Sequence, residues 1–418
     1  MNVLVTTEER FVRTPDGKVW AGGSGSYSFW LRYLEVFDSV RVLARIAESD
    51  AAPDKWERAD GDKVEFCALP YFVGAKEQLR KVGAIRAAVS SALNDQDAII
   101  LRAFSVIAPY VVSRLPRWRP FAIELNGDPH EVFGPYGDPY SLRPLLRWWF
   151  THQLRRQCQK ACAVAYVTEH GLRERYPITR HAFSTVYSSV ELNDSAFASA
   201  PRHFNVPPHP LRIVSIGSLE RMYKGFDTLI EALSICKQNN LDASLRIIGE
   251  GRCSSDMQNL ARQRGVEKEV TFTGRIPSGK AIRNELDHSD LFVLASKTEG
   301  LPRALIEAMA RGLPCLGTAV GGIPELLPQS EMVPRGNSPA LAGKIIEFAS
   351  DVAVLNRAAA RNLFKAHQYR SAVLSARRHQ LYEFLREQME RWNLRKRSQP
   401  GNRYYRTIAL PRSNPSRS

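Results

Sequence analysis

Short apolar runs alternate with stretches of helical periodicity along most of the chain. In the second half, residues 211–216 (Leu-Arg-Ile-Val-Ser-Ile) read as a strand, followed by a glycine-bounded loop and a helical pattern from Phe226 to about Lys237. Further strand signals begin near Ser244, Glu269 and Pro314, and residues 290–296 form an apolar run suited to a buried parallel strand. Such alternation predicts a parallel doubly wound sheet, with ligands at the carboxyl ends of its strands. The first half repeats the pattern more weakly, with strands expected at 2–6, 40–47, 64–69, 98–102, 121–125, 163–167 and 183–187 and a helix at 27–37.

This gives an α/β chain of two domains. Residues 1–200 form an N-terminal Rossmann-like domain and 211–370 a second one, joined at 201–210, where Pro201, Pro207, Pro208 and Pro210 cluster. Residues 371–390 are expected to form a helix that returns to the first lobe, and 391–418 a disordered tail. A length of 418 residues with 44% hydrophobic content suffices for two cores.

The most informative run is Glu299-Gly-Leu-Pro-Arg-Ala-Leu-Ile-Glu307-Ala-Met-Ala-Arg-Gly312-Leu-Pro314. Pro302 suits a first helical turn, and Gly312 with Pro314 suits a stop. A helix of roughly ten residues would aim its unpaired N–H groups beyond the preceding strand, a natural anion site. Glu307, about 7.5 Å further along the axis, is placed to accept hydrogen bonds from sugar hydroxyls. The spacing alone better suits a surface helix with two solvated glutamates.

Neighbouring motifs alter that balance. With the Glu299–Glu307 block, the Gly217-Ser-Leu-x4-Lys224-Gly loop, Ile248-Gly-Glu-Gly251, Phe272-Thr-Gly274 and Gly321-Gly-Ile-Pro-Glu325, the chain resembles family 4 of the retaining glycosyltransferases, closely over about 211–330 and more loosely upstream. The resemblance implies the GT-B fold, two facing Rossmann-like domains with a cleft between them. It implies that Glu307 binds the donor ribose, Glu299 the donor sugar and Lys224 the diphosphate, that the backbone of Gly300 and Leu301 approaches the diphosphate, and that Arg275 lines the base pocket. Many members carry arginine where this chain has Ser218, and Arg221 is the candidate to supply that charge. Gly22 and Gly23, before the expected helix at 27–37, resemble the glycine loop of the family's acceptor domain, although such a cluster is also ordinary turn chemistry. Retention of configuration is likewise an implication of the resemblance alone.

The chemistry required is stabilisation of a departing nucleoside diphosphate, which fixed positive groups supply. Lys224, Arg221 and the helix start could do so without a metal or other cofactor, and the histidines show no metal-ligand spacing. Asp128 and His130, in Glu124-Leu-Asn-Gly-Asp-Pro-His130, follow a first-lobe strand and could orient the acceptor hydroxyl. The same string is also good turn chemistry. A double displacement would need a carboxylate below the sugar, for which Asp128 is the candidate.

Charge then bears on partners. The net charge is +15, and residues 391–418 carry eight basic residues and no acidic one. Arg143, Arg147, Trp148, Trp149, Arg155, Arg156 and Lys160 fall on one expected helix, and Lys76, Arg80, Lys81 and Arg86 on another beside Leu79, Val82 and Ile85. Such helices suit an anionic bilayer surface, unless the tryptophans pack into the core. No leader or spanning segment is read, and six cysteines without paired motifs suit a reducing compartment, although Cys158 and Cys162 could share a helix face.

The expected protein is a cytoplasmic enzyme, peripheral on the inner face of the membrane, that moves sugar from a UDP- or GDP-sugar to a saccharide or lipid-linked saccharide in cell-surface polysaccharide synthesis. A sugar-nucleotide epimerase or hydrolase, or a nonenzymatic nucleotide- or nucleic-acid-binding protein, are the alternatives. Nucleic acid is the less expected partner, and the sequence does not set the sugar, base or oligomeric state.

Overall fold

In the computed structural model, residues 1–134 and 142–398 are described. They form two α/β lobes. The first holds a nine-stranded sheet in the order Glu57–Arg58, Val19–Ala21, Val3–Arg13, Ala98–Ala103, Ala122–Leu125, Ala163–Tyr166, Phe183–Val186, with Val40–Glu48 also paired to Val3–Arg13 and Val64–Leu69 beyond it. The second holds six parallel strands in the order Val270–Phe272, Ala243–Ile248, Leu211–Ile216, Leu291–Leu294, Cys315–Thr318, Met332–Val333. Ala122–Leu125 and Ala163–Tyr166 in the first lobe and Leu291–Leu294 and Cys315–Thr318 in the second are buried throughout, as a sheet covered on both faces requires.

The first lobe departs from simple alternation in two places. Val3–Arg13 continues seven residues past the expected end at residue 6, through a register shift between Thr6 and Arg10, and pairs antiparallel with Val19–Ala21. The helix expected at 27–37 is a single turn, Tyr27–Trp30, followed by the 3-10 turn Leu31–Tyr33. Buried Trp30 and Tyr33 anchor this segment.

The proline-rich connection is not a free strap. Arg202 N–H donates to Gly312 O at 3.0 Å, and Phe204 N–H to Asn356 Oδ1 at 2.9 Å, so it is bound to the second lobe. The chain crosses back near residue 370, and the Ser371–Ser398 helix lies on the first lobe. Arg377 of this helix donates to Val186 O at 3.1 Å and Tyr382 to Glu124 Oε1 at 2.7 Å. The helix runs past Glu390 to Ser398, and Lys396 pairs with Asp95. The first eight residues of the expected tail are therefore helical, because Met389 and Trp392 find burial there. The remainder of the expected tail lies outside the described residues.

Glu124 explains why this helix docks. Its carboxylate, 5% exposed, accepts from Tyr33 and Tyr187 at 2.9 Å and from Tyr382 at 2.7 Å, with Arg102 Nε at 3.3 Å. Burying a carboxylate is costly unless its lone pairs are filled, and filling them draws three segments together.

Candidate functional site

Glu299 and Lys224 come from loops after adjacent strands, Leu291–Leu294 and Leu211–Ile216. Lys224 ends a short 3-10 turn, and Gly225 follows at φ +68°. A Cβ on Gly225 would sit 1.9 Å from Ala295 O, so this close approach to the neighbouring strand end requires glycine. Lys224 Nζ then lies 2.6 Å from Glu299 Oε1, which also accepts from Ser296 Oγ at 2.7 Å. The Glu299 side chain is 8% exposed and that of Lys224 16%.

The helix after Glu299 is Arg303–Ala310, eight residues. Pro302 stands at the N-cap position in an extended conformation, not in the first turn, and no side chain caps the helix. Its first N–H groups are thus open toward the loop formed by Gly300 and Leu301. That loop is held by the Gly-Gly-Ile-Pro-Glu motif. Gly322 N–H donates to Gly300 O at 2.7 Å, and a Cβ on Gly321, at φ +54°, would lie 2.0 Å from Glu299 O. The sequence contained these glycines as a motif but gave no reason for them; their task is to let one loop pass beneath another.

Glu307 is the fifth helical residue, about 6 Å along the axis from Arg303. It lines a hollow of about 730 Å³ between the lobes, with Arg303 and Ser278 on its own side and Ser24, Ser26 and Asn126 opposite. Burial holds its carboxyl above the ordinary value of 4.5, partly offset by the Arg303 guanidinium. Glu299 and Gly300 line a second, smaller hollow of about 110 Å³, closed from the first lobe by Asp128, Glu131 and Arg175. The two glutamates therefore serve neighbouring chambers of one cleft.

Other expected residues are placed differently. Gly22 and Gly23 are absent from the described lining of the Glu307 hollow, and Cβ atoms there would meet the Trp56 ring at 2.5 Å and Glu9 Oε1 at 2.6 Å. The loop reaches the cleft through Ser24 and Ser26. Arg221 and Arg275 are exposed, and Ser218 Oγ accepts locally from Glu220 N–H at 3.2 Å.

Asp128 is fully engaged. Its Oδ1 accepts from His130 N–H at 2.9 Å and Tyr176 OH at 2.5 Å, and its Oδ2 pairs with Arg175. It caps the Pro129–Val132 turn and anchors Arg175, which leaves it poorly suited to attack a sugar. His130 Nδ1 lies 2.9 Å from Arg147 Nη2. A guanidinium only donates, so Nδ1 accepts and Nε2 carries the proton. Burial, Arg175 and Arg147 all lower the His130 pKa from 6.5, keeping the ring neutral. In that tautomer it can donate to an acceptor oxygen, not take a proton from it. Asp128, His130 and Glu131 bring ligand atoms within 4.8 Å of one another. The guanidinium of Arg175 already bridges the two carboxylates, and a second cation would meet its repulsion.

The cysteine expectation also changes. The Arg143–Lys160 helix ends before Cys162, so Cys158 and Cys162 do not share it, and burial pushes both thiols up to about 12. Trp148 is 63% exposed, which excludes core packing as its role. Among the described residues, no helix is long and apolar enough to cross a membrane.

Two facing Rossmann-like lobes with paired loops at a common cleft define a GT-B fold. Solved structures with this architecture include the sucrose-phosphate synthase of Thermosynechococcus elongatus, at TM-score 0.67 and 17% identity over 92% of this chain and 99% of that one. Anabaena HepE in complex with UDP and glucose aligns at TM-score 0.60 and 16% identity over 91% and 98%. Residues 199–362 match the family described as glycosyl transferases group 1. Protein CapJ of Staphylococcus aureus is 25% identical over 71% of this chain and 74% of its own length. The putative colanic acid biosynthesis glycosyltransferase WcaL of Escherichia coli K12 is 35% identical over 36% of this chain, a match spanning 39% of WcaL. The family match lies over the second lobe, where Lys224, Glu299 and Glu307 stand.

Proposed function

We propose that the protein transfers a sugar from a UDP- or GDP-sugar to a saccharide or lipid-linked saccharide, with retention of configuration, in cell-surface polysaccharide synthesis. The observation that carries this reading is the Lys224–Glu299 pair beside an uncapped helix start, with Glu307 facing the interlobe hollow on the same helix.

In this reading the diphosphate lies over the N–H groups of Gly300, Leu301 and the first helical turn. Lys224 turns from Glu299 to the phosphate that becomes the leaving group. Glu307 accepts hydrogen bonds from the ribose hydroxyls, and Glu299, released from Lys224, accepts one from the donor sugar. The acceptor enters from the side of Asp128, where neutral His130 donates to it and Arg175 offsets the charge of the Asp128 and Glu131 carboxylates. The departing diphosphate takes the acceptor proton on the face it leaves, so no enzymatic nucleophile is required. The site needs no metal, because Lys224 and the helix start provide the positive field. The enzyme works in the cytoplasm against the inner membrane face.

A thermal-shift panel of UDP- and GDP-sugars, followed by detection of nucleoside diphosphate release with and without acceptor extracts, tests this. Stabilisation by one nucleotide series with acceptor-dependent release is expected. Release that is independent of acceptor would instead favour a hydrolase.

A further inference from the structure

The Arg143–Lys160 helix contains five basic residues and no acidic one. Arg147, Thr151 and Arg155 follow at intervals of four and so share a face. That face lines a hollow of about 670 Å³, together with His130, Phe133, Arg143, Pro144, Trp148 and His152. No carboxylate among the described residues lines it, and Arg147 and Arg155 form no ion pair among them: Arg147 meets the neutral His130, and Arg155 Nε donates to Arg175 O at 2.8 Å. Among the described residues, the positive potential of the hollow is thus not cancelled from within.

Of the exposed apolar side chains on this helix, Trp148 lines the hollow, whereas Leu145 and Trp149, two residues either side of Arg147, point away from it. Leu145 is 57%, Trp148 63% and Trp149 40% exposed, and Leu142 just before the helix 61%. An exposed tryptophan in the wall of a cationic hollow suits a boundary between phosphate headgroups and acyl chains. The hollow also adjoins the cleft. His130 belongs to its wall, while its neighbours Asp128 and Glu131 line the chamber of Glu299.

We propose that this hollow binds the phosphate of an acceptor carried on an apolar chain in a bilayer, with the forks of Arg147 and Arg155 on the phosphate oxygens and Trp148 at the chain's root. This site rests on the transferase reading above and specifies its acceptor as a lipid-borne phosphate or diphosphate. The saccharide attached to that phosphate would then extend toward His130 and the cleft.

The test uses the full chain and three probes: phosphatidylcholine vesicles doped with a long-chain alkyl diphosphate, vesicles of equal surface charge containing phosphatidylglycerol, and inorganic pyrophosphate. Flotation and tryptophan fluorescence should show binding to the alkyl diphosphate vesicles roughly tenfold tighter than to the phosphatidylglycerol vesicles, a difference of about 1.4 kcal/mol. Arg147→Gln with Arg155→Gln should abolish that preference. Trp148→Ala, at an exposed position that folding does not need, should weaken vesicle binding and leave pyrophosphate affinity unchanged. Equal binding to both vesicle types, pyrophosphate binding as tight as the alkyl form, or an unaltered preference in the double variant would each overturn the proposal. A nucleotide thermal shift on the same samples separates the two readings. If the shift persists while vesicles are ignored, only the lipid-phosphate site falls; if the shift is absent, the transferase reading falls with it.

Discussion

Lys224 Nζ lies 2.6 Å from Glu299 Oε1, joining two loops 75 residues apart in the chain. Each group satisfies the other while the cleft holds no diphosphate, and an arriving diphosphate competes for the lysine and frees the glutamate. Lys224→Met should therefore lower kcat by about a hundredfold and weaken nucleoside diphosphate binding as well, because it removes charge where charge develops. Glu299→Gln should lower transfer by a comparable factor but leave nucleotide affinity within about twofold, since it acts on the sugar. Steady-state kinetics and calorimetry on both variants check this split.

Glu307 predicts two opposite responses to pH. Its carboxyl titrates above 4.5 in the fold because burial disfavours the charge. In the ligand-free protein, stability should fall slightly as pH rises from 4.5 through the folded value, since the unfolded chain ionises first. Nucleotide affinity should rise over the same interval, as the ionised carboxylate is the better acceptor for ribose hydroxyls. Glu307→Gln should flatten both profiles, measurable as Tm and Kd against pH.

Two glycines with the same backbone angle separate conformational strain from a close approach. Gly225 and Gly265 both have φ +68°, but a Cβ meets Ala295 O at 1.9 Å in the first and nothing within 4 Å in the second. Gly265→Ala should cost about 1 kcal/mol in denaturant unfolding, the left-handed penalty alone. Gly225→Ala should cost about 3 kcal/mol and also impair transfer, because the strand end and Lys224 must shift.

Much of the second lobe was legible in the sequence because its strands are short apolar runs, three of them closed by Gly217, Gly249 and Gly274. The Glu299–Glu307 block showed the helix start, misplaced only by the one residue that Pro302 occupies outside it. The first lobe was less legible. The Val3–Arg13 strand carries Glu8, Glu9 and Arg10 through its register shift, and these charges hide its continuation. Asp128 could be read only as a turn residue or a catalytic acid, since its partners Tyr176 and Arg175 lie 48 and 47 residues away. The three tyrosines on Glu124 come from positions 33, 187 and 382, a convergence no local pattern reveals.

The lobes are held together by a contact that the motif alone did not suggest. Glu325 accepts from the backbone N–H groups of Glu169, His170 and Gly171 at 2.6, 2.9 and 3.3 Å, reaching from the second lobe into the first. These donors are exposed, so its removal leaves them to water and should cost about 1 kcal/mol. Glu325→Ala should open the cleft, seen as a larger radius of gyration in small-angle scattering, and raise KM for the acceptor more than for the donor. An unchanged scattering profile with unchanged KM values would show that the contact does not set the lobe spacing.

The most direct test of the account is calorimetric titration of UDP and GDP into the wild-type protein, Glu307→Ala and Lys224→Met. The account predicts that one of the two nucleotides binds the wild type without added metal, and that each variant loses roughly tenfold or more in affinity, about 1.4 kcal/mol. Absence of binding to the wild type, or equal affinity in all three proteins, would contradict it.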